Sequence, residues 1–313
     1  MLKMHMISAL QIRALVDWEG VLGALHEAHQ GARPFGDSYF VGDSAFGLFS
    51  RGVISPGVGS GFKLATLCPA NRDAAVPLPT EHGLFLVVDE QTKAIAAALD
   101  GGEITRWKTA ADSALAASML SRVDSSTLLA IGAGPISKAL VSAFMHVRPS
   151  ISKVLLWNRS KEKLQQTHDE LVADGVEVRI VDDLDEAVAC ADIITCATSA
   201  QEPLVKARFV RPGTHIDLVG GYRPDMQEAE SEVFRDALIY VDDLANALAS
   251  GDLQKPLQEA VIEKGQIRGD LFDLCQGREF CRAPEAVTVY KNAGGAHLDL
   301  AVSKYVVERL NLR

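Results

Sequence analysis

An α/β fold with a doubly wound parallel sheet, joined to a second, α+β unit, is what this sequence predicts. Three observations carry the prediction. Leu128–Ile131 is a short apolar run that feeds Gly132-Ala-Gly134 and then a helix opening at Pro135. From there to Val241 strand-like and helix-like segments alternate, the pattern of parallel strands joined by crossover helices. Ahead of Thr109 the pattern changes to short strands and glycine-rich turns.

The chain justifies these elements in order. Ile7 to His29 places Leu10, Ile12, Leu15, Val16, Leu22 and Leu25 at helical spacing, which predicts one or two amphipathic helices. Gly31 to Gly61 is glycine-rich and carries the strand-like pieces Ser38–Val41 and Gly47–Phe49. Phe62–Leu67, Gly83–Asp89 and Ala94–Leu99 read as further strands, so this part is expected to be an antiparallel α+β unit. Thr109–Arg122 is alanine-rich and free of breakers, which predicts a helix.

The alternating part then predicts a strand ending at Leu155-Leu156-Trp157 and a helix over 161–173. A strand at Val176–Val181, a helix at Leu184–Cys190 and strands at Asp192–Ala197, Thr214–Val219 and Ala237–Val241 follow. Beyond Asp270 an irregular stretch is expected, then a strand at Val287–Tyr290. A last helix, Ala296–Leu310, turns Leu300, Val302, Tyr305, Val306 and Leu310 to the core.

Composition limits the function. At 313 residues, 48% hydrophobic and 23% charged, the chain suits a globular protein of two domains. The expected boundaries are 1–118, completed by 290–313, and 119–289. A net charge of −10 argues against nucleic-acid or anionic-membrane partners. No apolar run approaches the roughly 18 residues of a spanning helix, and the first residues lack a basic-then-apolar signal, so a cytoplasmic protein is expected. Cys68, Cys190, Cys196, Cys275 and Cys281 show no paired ligand spacing and read as free thiols, with no support for a metal.

The strand-turn-helix at 128–136 is the context a dinucleotide fingerprint requires, so a Rossmann-type cofactor domain is expected. Gly132 permits the tight turn, Gly134 lets backbone approach a pyrophosphate, and Pro135 and Ile136 open the helix whose free N–H groups would face the anion. Ser137 stands where the third glycine usually lies. Where NAD-binding folds place a ribose-binding acid, this chain has Asn158 and Arg159. That pair suits a 2′-phosphate, so NADP(H) is expected, with NAD(H) as the alternative and a solvated surface arginine as the plain reading of Arg159. Thr198, Val219 and Gly220 recur at the expected carboxyl edge of the sheet, where cofactors lie, although each could be a simple turn residue.

Scattered motifs add a resemblance. Lys63-Leu-Ala-Thr66, Pro69-Ala-Asn71, Pro77-Leu-Pro-Thr80 and Ile104-Thr-Arg-Trp-Lys108-Thr-Ala-Ala-Asp-Ser-Ala-Leu115 precede Gly132-Ala-Gly134. Gly220-Gly-Tyr-Arg-Pro-Asp-Met226, Gly251-Asp-Leu253 and Lys291-Asn-Ala-Gly294 follow it. In this order, from about Gly42 onward, they resemble the ornithine cyclodeaminase and μ-crystallin family. The resemblance implies a homodimer in which the N-terminal part and the last helix form a substrate-binding and dimerisation domain.

The same resemblance implies the site. The family's active-site lysine falls on Lys63, its Pro-Thr threonine on Thr80 and a cofactor-phosphate and substrate arginine on Lys108, with Asn292 added to the cofactor set. Arg51 is the expected carboxylate clamp and Arg33 its competitor; Asp299 is a further candidate for orienting site residues. Cyclodeaminases and alanine dehydrogenases carry an aspartate where this chain has Tyr222, and a lysine near Met226. The Trp-Lys-Thr-Ala-Ala-Asp-Ser run is similar instead to bacterial members that reduce Δ1-pyrroline-2-carboxylate to L-proline. An NAD(P)H-dependent reductase acting on a small cyclic imine is therefore expected. Cyclodeaminase, alanine dehydrogenase and an NADPH-dependent binding protein are the alternatives.

Overall fold

Ser8 opens the chain's first helix with a reciprocal cap: its hydroxyl receives the Gln11 N–H while the Gln11 side chain takes the Ser8 N–H. The structure, a computed structural model, describes residues 4–43, 45–76, 78–277 and 282–310. Pro77 and Cys281 lie outside the described residues. It divides into two units, residues 1–108 with 295–313, and residues 109–294.

The first unit begins with β1 (His5–Ile7), α1 (Ala9–Leu15) and α2 (Trp18–Gln30), the last capped by Asp17 accepting from Gly20 N–H at 2.7 Å. The strands β2 (Phe35–Gly42), β3 (Gly47–Ser55), β4 (Gly59–Leu67), β5 (Glu81–Val88) and β6 (Ile95–Asp100) follow. Among the described residues they form a six-stranded sheet in the order β1-β6-β5-β4-β3-β2. It is antiparallel as expected except that β1 pairs parallel to β6, a three-residue strand too short for its pattern to register. The C-terminal helix, Ala296–Arg309, packs against β3, β4, β5 and α2.

This sheet has an inverted polarity. On β4, Lys63 is only 9% exposed, while its neighbours Phe62 and Leu64 are 47% and 40% exposed. The covered face, with Val53, Ala65, Phe85 and Leu99, thus accepts a lysine. The open face carries Leu48, Ile54, Phe62, Leu64 and Leu84.

Helix α3 (Gly101–Leu120) is longer than the expected 109–122. Its start is set by Asp100, whose carboxylate accepts the Glu103 N–H at 2.8 Å, a cap hidden behind the Gly101-Gly102 pair. The division between units falls inside this helix, after Lys108, and again after Gly294. From Ala110 to Ala117 the helix is buried on every face. Its end lacks a glycine stop; the buried Arg148 guanidinium instead donates to the carbonyls of Ala117, Ser118 and Ser121.

The second unit continues through β7 (Thr127–Ile131), α4 (Pro135–Val147), β8 (Lys153–Trp157), α5 (Gln165–Ala173), β9 (Glu177–Ile180), α6 (Leu184–Cys190), β10 (Ile193–Cys196), β11 (His215–Leu218) and β12 (Leu238–Val241). Then come α7 (Leu244–Ala249), α8 (Gly251–Gln258), β13 (Ile267–Asp270), α9 (Leu271–Cys275) and β14 (Thr288–Lys291). Among the described residues an eight-stranded parallel sheet forms in the order β13-β12-β14-β11-β10-β7-β8-β9. The chain switches direction between β7 and β10, the place where doubly wound sheets bind ligands at their carboxyl edge.

Three readings are corrected here. The helix expected from Lys161 starts with a 3₁₀ turn, Lys161–Leu164, before α5. The stretch after Asp270 is not irregular at once: Asp270 and Asp273 form a reciprocal cap that starts α9. The segments α7, α8 and β13 escaped the sequence reading, being too short for a period to stand out.

Candidate active site

In the second unit, the turn after β7 is built for glycine. Gly132 has φ +123°, and a Cβ there would lie 2.6 Å from the Ala197 carbonyl. Ser137, in place of the third glycine, donates from its hydroxyl to Gly132 O at 2.9 Å and so ties the helix to the turn. Gly134 caps α4, is exposed, and would meet nothing within 4 Å if it carried a Cβ. The protein itself makes no demand for glycine there. The open space beside Gly134, at the N-terminus of a 13-residue helix, suits a pyrophosphate. Pro135 is exposed and Ile136 half-buried.

At the end of β8, Asn158 donates to Ser160 O at 2.8 Å and so shapes its own turn, leaving Arg159 exposed. Nearby, Trp157, Asp182, Asp183, Leu184, Asp185 and Lys206 line a cavity of about 530 Å³, and Lys161 pairs with Asp182. At the ends of β10 and β11, Val219 N–H donates to Cys196 O at 2.9 Å. Thr198 directs both its N–H and its hydroxyl to Oε1 of Glu228, at 2.7 and 2.8 Å. Asn292 is buried, and its amide donates to Thr109 O and Ser113 Oγ, each at 3.0 Å; those contacts fasten α3 to the end of β14. Asp225 is a surface residue paired with Arg223 and Gln201, and Tyr222 is 59% exposed.

Three buried charges of this unit were not singled out from the sequence. Glu228, Asp252 and Lys291 are wholly buried, with Lys291 Nζ 3.0 Å from Asp252 Oδ2 and donating also to Gly220 O. Two of them lie in the quoted motifs Gly251-Asp-Leu and Lys291-Asn, and that placement was the available signal.

The first unit gathers a different set. Lys63 Nζ donates to Thr105 Oγ1 at 2.8 Å and lies 3.4 Å from Asp299 Oδ1 and 3.7 Å from Glu81 Oε1. Lys108, buried, has its Nζ 4.0 Å from the other oxygen of Asp299. It does not stand at a helix N-terminus, as its motif suggested, but two turns into α3; its burial beside Asp299, not the helix dipole, defines its setting. Arg51 pairs in register with Lys63 across β3 and β4, its guanidinium 5.2 Å from the Phe49 ring. Thr80, half-buried, adjoins Glu81 and accepts Cys68 N–H at 2.8 Å. Arg33 is exposed between α2 and β2.

His297, in the first turn of the C-terminal helix, packs edge-on to His29 with centroids 5.2 Å apart. Burial, then His29, Lys108 and Arg51, hold its imidazole well below the usual range, so it is neutral at physiological pH. Lys63, Lys108 and Arg51 thus share the surroundings of the buried Asp299 and of a neutral imidazole. Such a group of cations has capacity for a small carboxylate.

Among the described residues no group of three His, Cys, Asp or Glu could hold a metal ion, and no helix is long and apolar enough to cross a membrane.

The model of the ornithine cyclodeaminase/mu-crystallin family matches residues 56–312. The chain is 37% identical over 295 residues to the Δ1-pyrroline-2-carboxylate reductase of Paracoccus denitrificans, covering 93% of this chain and 92% of that one. The Thermococcus litoralis Δ1-pyrroline-2-carboxylate reductase, solved with NADH and L-proline, superposes with a TM-score of 0.92 at 27% identity, over 98% of both chains. The iminosuccinate reductase of Paracoccus denitrificans, solved with NAD+, gives 0.90 at 25% identity over 98% of this chain and 96% of that one. With the glycine turn after β7, the buried Lys63 and a family model spanning most of its length, the chain belongs to the ornithine cyclodeaminase/mu-crystallin family.

Proposed function

We propose that the chain is an NAD(P)H-dependent reductase of cyclic imine carboxylates, converting Δ1-pyrroline-2-carboxylate to L-proline. The observation that carries this reading is the pair Lys63 and Lys108 beside Asp299, with Arg51 opposite Lys63 in the sheet, in a chain that has no acid at position 222. A substrate with a free amine would need that acid; a protonated imine with a carboxylate needs cations and a proton donor. The relatives named as Δ1-pyrroline-2-carboxylate reductases support the same substrate.

Each group has a part. Lys108 and Arg51 hold the substrate carboxylate. Lys63 donates a proton to the ring nitrogen, and Asp299 with Thr105 keeps its ammonium in place. The C=N carbon of the resulting iminium takes up a hydride, its π bond becomes the nitrogen lone pair, and L-proline forms. A bound reduced nicotinamide supplies that hydride. The Gly132–Ile136 turn holds the pyrophosphate, and Thr198, Val219 and Gly220 border the nicotinamide end.

NADPH is the preferred nucleotide in this reading, because Arg159 is exposed next to Asn158 with no acid between Trp157 and Ser160. NADH is a substrate as well, in keeping with the nucleotides named for the solved relatives. The open face of the first unit's sheet, with a cavity of about 770 Å³ bordered by Tyr39, Leu48, Leu64 and Leu84, supports a homodimer. A cytoplasmic location completes the reading.

The test is direct. Purified protein with NADPH and Δ1-pyrroline-2-carboxylate should lose nicotinamide absorbance and yield L-proline. No loss would overturn the proposal, and ammonia release from ornithine would replace it with a cyclodeaminase.

A further inference from the structure

We propose that Glu228 is a positioning residue for the nicotinamide end of the cofactor, fixing the turn at Thr198 through one carboxyl oxygen and the turn at Gly220–Gly221 through Asp252 and Lys291, the two turns against which the ring is held. The proposal rests on the reductase reading above. It starts from the sheet's switch point: β10 is next to β7, and the turns after β10 and β11 are stitched together by Val219 and Gly220 N–H, which both donate to Cys196 O, at 2.9 and 3.4 Å. Whatever shapes these turns shapes the floor of the crevice.

Glu228 is anchored from several sides. Its N–H donates to Asp252 Oδ1 at 2.7 Å, and its carbonyl accepts Leu204 and Val205 N–H at 2.8 and 3.0 Å. Its Oε1 accepts both Thr198 donors. The path returns through Asp252 to Lys291, and from the Lys291 ammonium to the carbonyl of Gly220. A Cβ on Gly220 would overlap Glu228 Oε1, and one on Gly221 would overlap Asp252 Oδ2. The two glycines therefore rest on two carboxyl groups.

That arrangement costs more than scaffolding requires. Oε2 of Glu228 is buried with no hydrogen-bond partner among the described residues. One ammonium, Lys291, faces two carboxyl groups. Burial, then the charge of Asp252, push Glu228 up to about 8, against the opposing pull of Lys291. The Cys196 thiol that also packs here is pushed well above its usual value, chiefly by burial, and stays neutral. At neutral pH Glu228 is accordingly an uncharged acid that accepts from Thr198. On ionising it accepts more strongly from Thr198 but gains a charge that Asp252 repels, which drives apart the two carboxyl groups beneath Gly220 and Gly221.

The experiment uses the full chain and two ligands, NADPH and ADP-ribose, which lacks the nicotinamide, with affinities measured from about pH 6 to 9.5. Wild-type affinity for NADPH should fall as pH rises through about 8, with ADP-ribose little changed. E228A should weaken NADPH about tenfold to a hundredfold while sparing ADP-ribose. E228Q should restore the affinity and remove its alkaline fall. Equal losses of NADPH and ADP-ribose in E228A would overturn the positioning role, because a general structural defect does not discriminate. If E228A does not fold, a wild-type alkaline fall in E228Q overturns it equally. Wild-type protein that binds neither ligand overturns the reductase reading itself, and this proposal with it.

Discussion

The Lys63 ammonium and the Asp299 carboxylate stand 3.4 Å apart, the lysine on β4 and the acid in the first turn of the C-terminal helix, both almost closed to solvent. Neither has to be there for packing. A lysine on the covered side of a sheet, between exposed phenylalanine and leucine, is a costly choice that a structural role does not repay.

Replacing Lys63 with alanine should lower kcat/KM for the imine by about 10² to 10⁴, the range for a lost proton donor. Nucleotide affinity should remain measurable by fluorescence. Turnover at the wild-type rate would remove Lys63 from the chemistry.

Arg159→Ala addresses nucleotide choice. The arginine is exposed, so its loss should leave the melting temperature in place. NADPH should weaken more than NADH by about 1.5–3 kcal/mol, the range for a charged hydrogen bond. Equal weakening of the two would contradict a 2′-phosphate contact.

His215 governs an acid limb of stability. It is fully buried, 2.9 Å from Thr288 Oγ1, and burial, followed by Arg282 and Arg148, lowers its pKa to about 3. Unfolded, it would take up a proton near pH 6.5, so between about 3 and 6.5 the unfolded chain binds more protons and stability falls as pH drops. Asp217 works in the opposite sense: raised to about 6, chiefly by burial, it favours the folded chain as pH falls from 6 towards its ordinary value. Comparing variants isolates the histidine. His215→Gln should gain on the order of a few kcal/mol relative to wild type between pH 7 and pH 4 in denaturant melts, and a constant difference would refute this.

Leu64→Glu tests the open sheet face. Leu64 is 40% exposed and borders the cavity on that face. A charge there should raise the dissociation constant of the proposed homodimer by about 30-fold or more, seen by sedimentation across protein concentrations. Unchanged mass at every concentration would discard this interface.

How much of this was legible beforehand follows from what periodicity can carry. The run into Gly132 could be read because it is punctuated by residues with one conformational use. The inverted sheet could not: its alternation is plain, but which side is covered depends on the C-terminal helix, more than two hundred residues on. Glu228, Asp252 and Lys291 escaped for a related reason. A buried charge is recognisable only with its partners, and these lie dozens of residues apart, with Lys291 closing an otherwise apolar strand. The helix expected over Thr109–Arg122 put Lys108 at its start, whereas the Asp100 cap opens it at Gly101.

Arg148 gives the second unit an order of assembly. Since the carbonyls of Ser118 and Ser121 at the end of α3 take a donor from that side chain, and Ala117 O shares it with Ser121, the helix terminus stays loosely closed on a growing chain until synthesis has passed β7 and the whole of α4. A stop signal of this kind couples a local structure to a segment still unmade, and in chains arrested before residue 148 the backbone amides of the last turn of α3 should exchange faster than in the full chain.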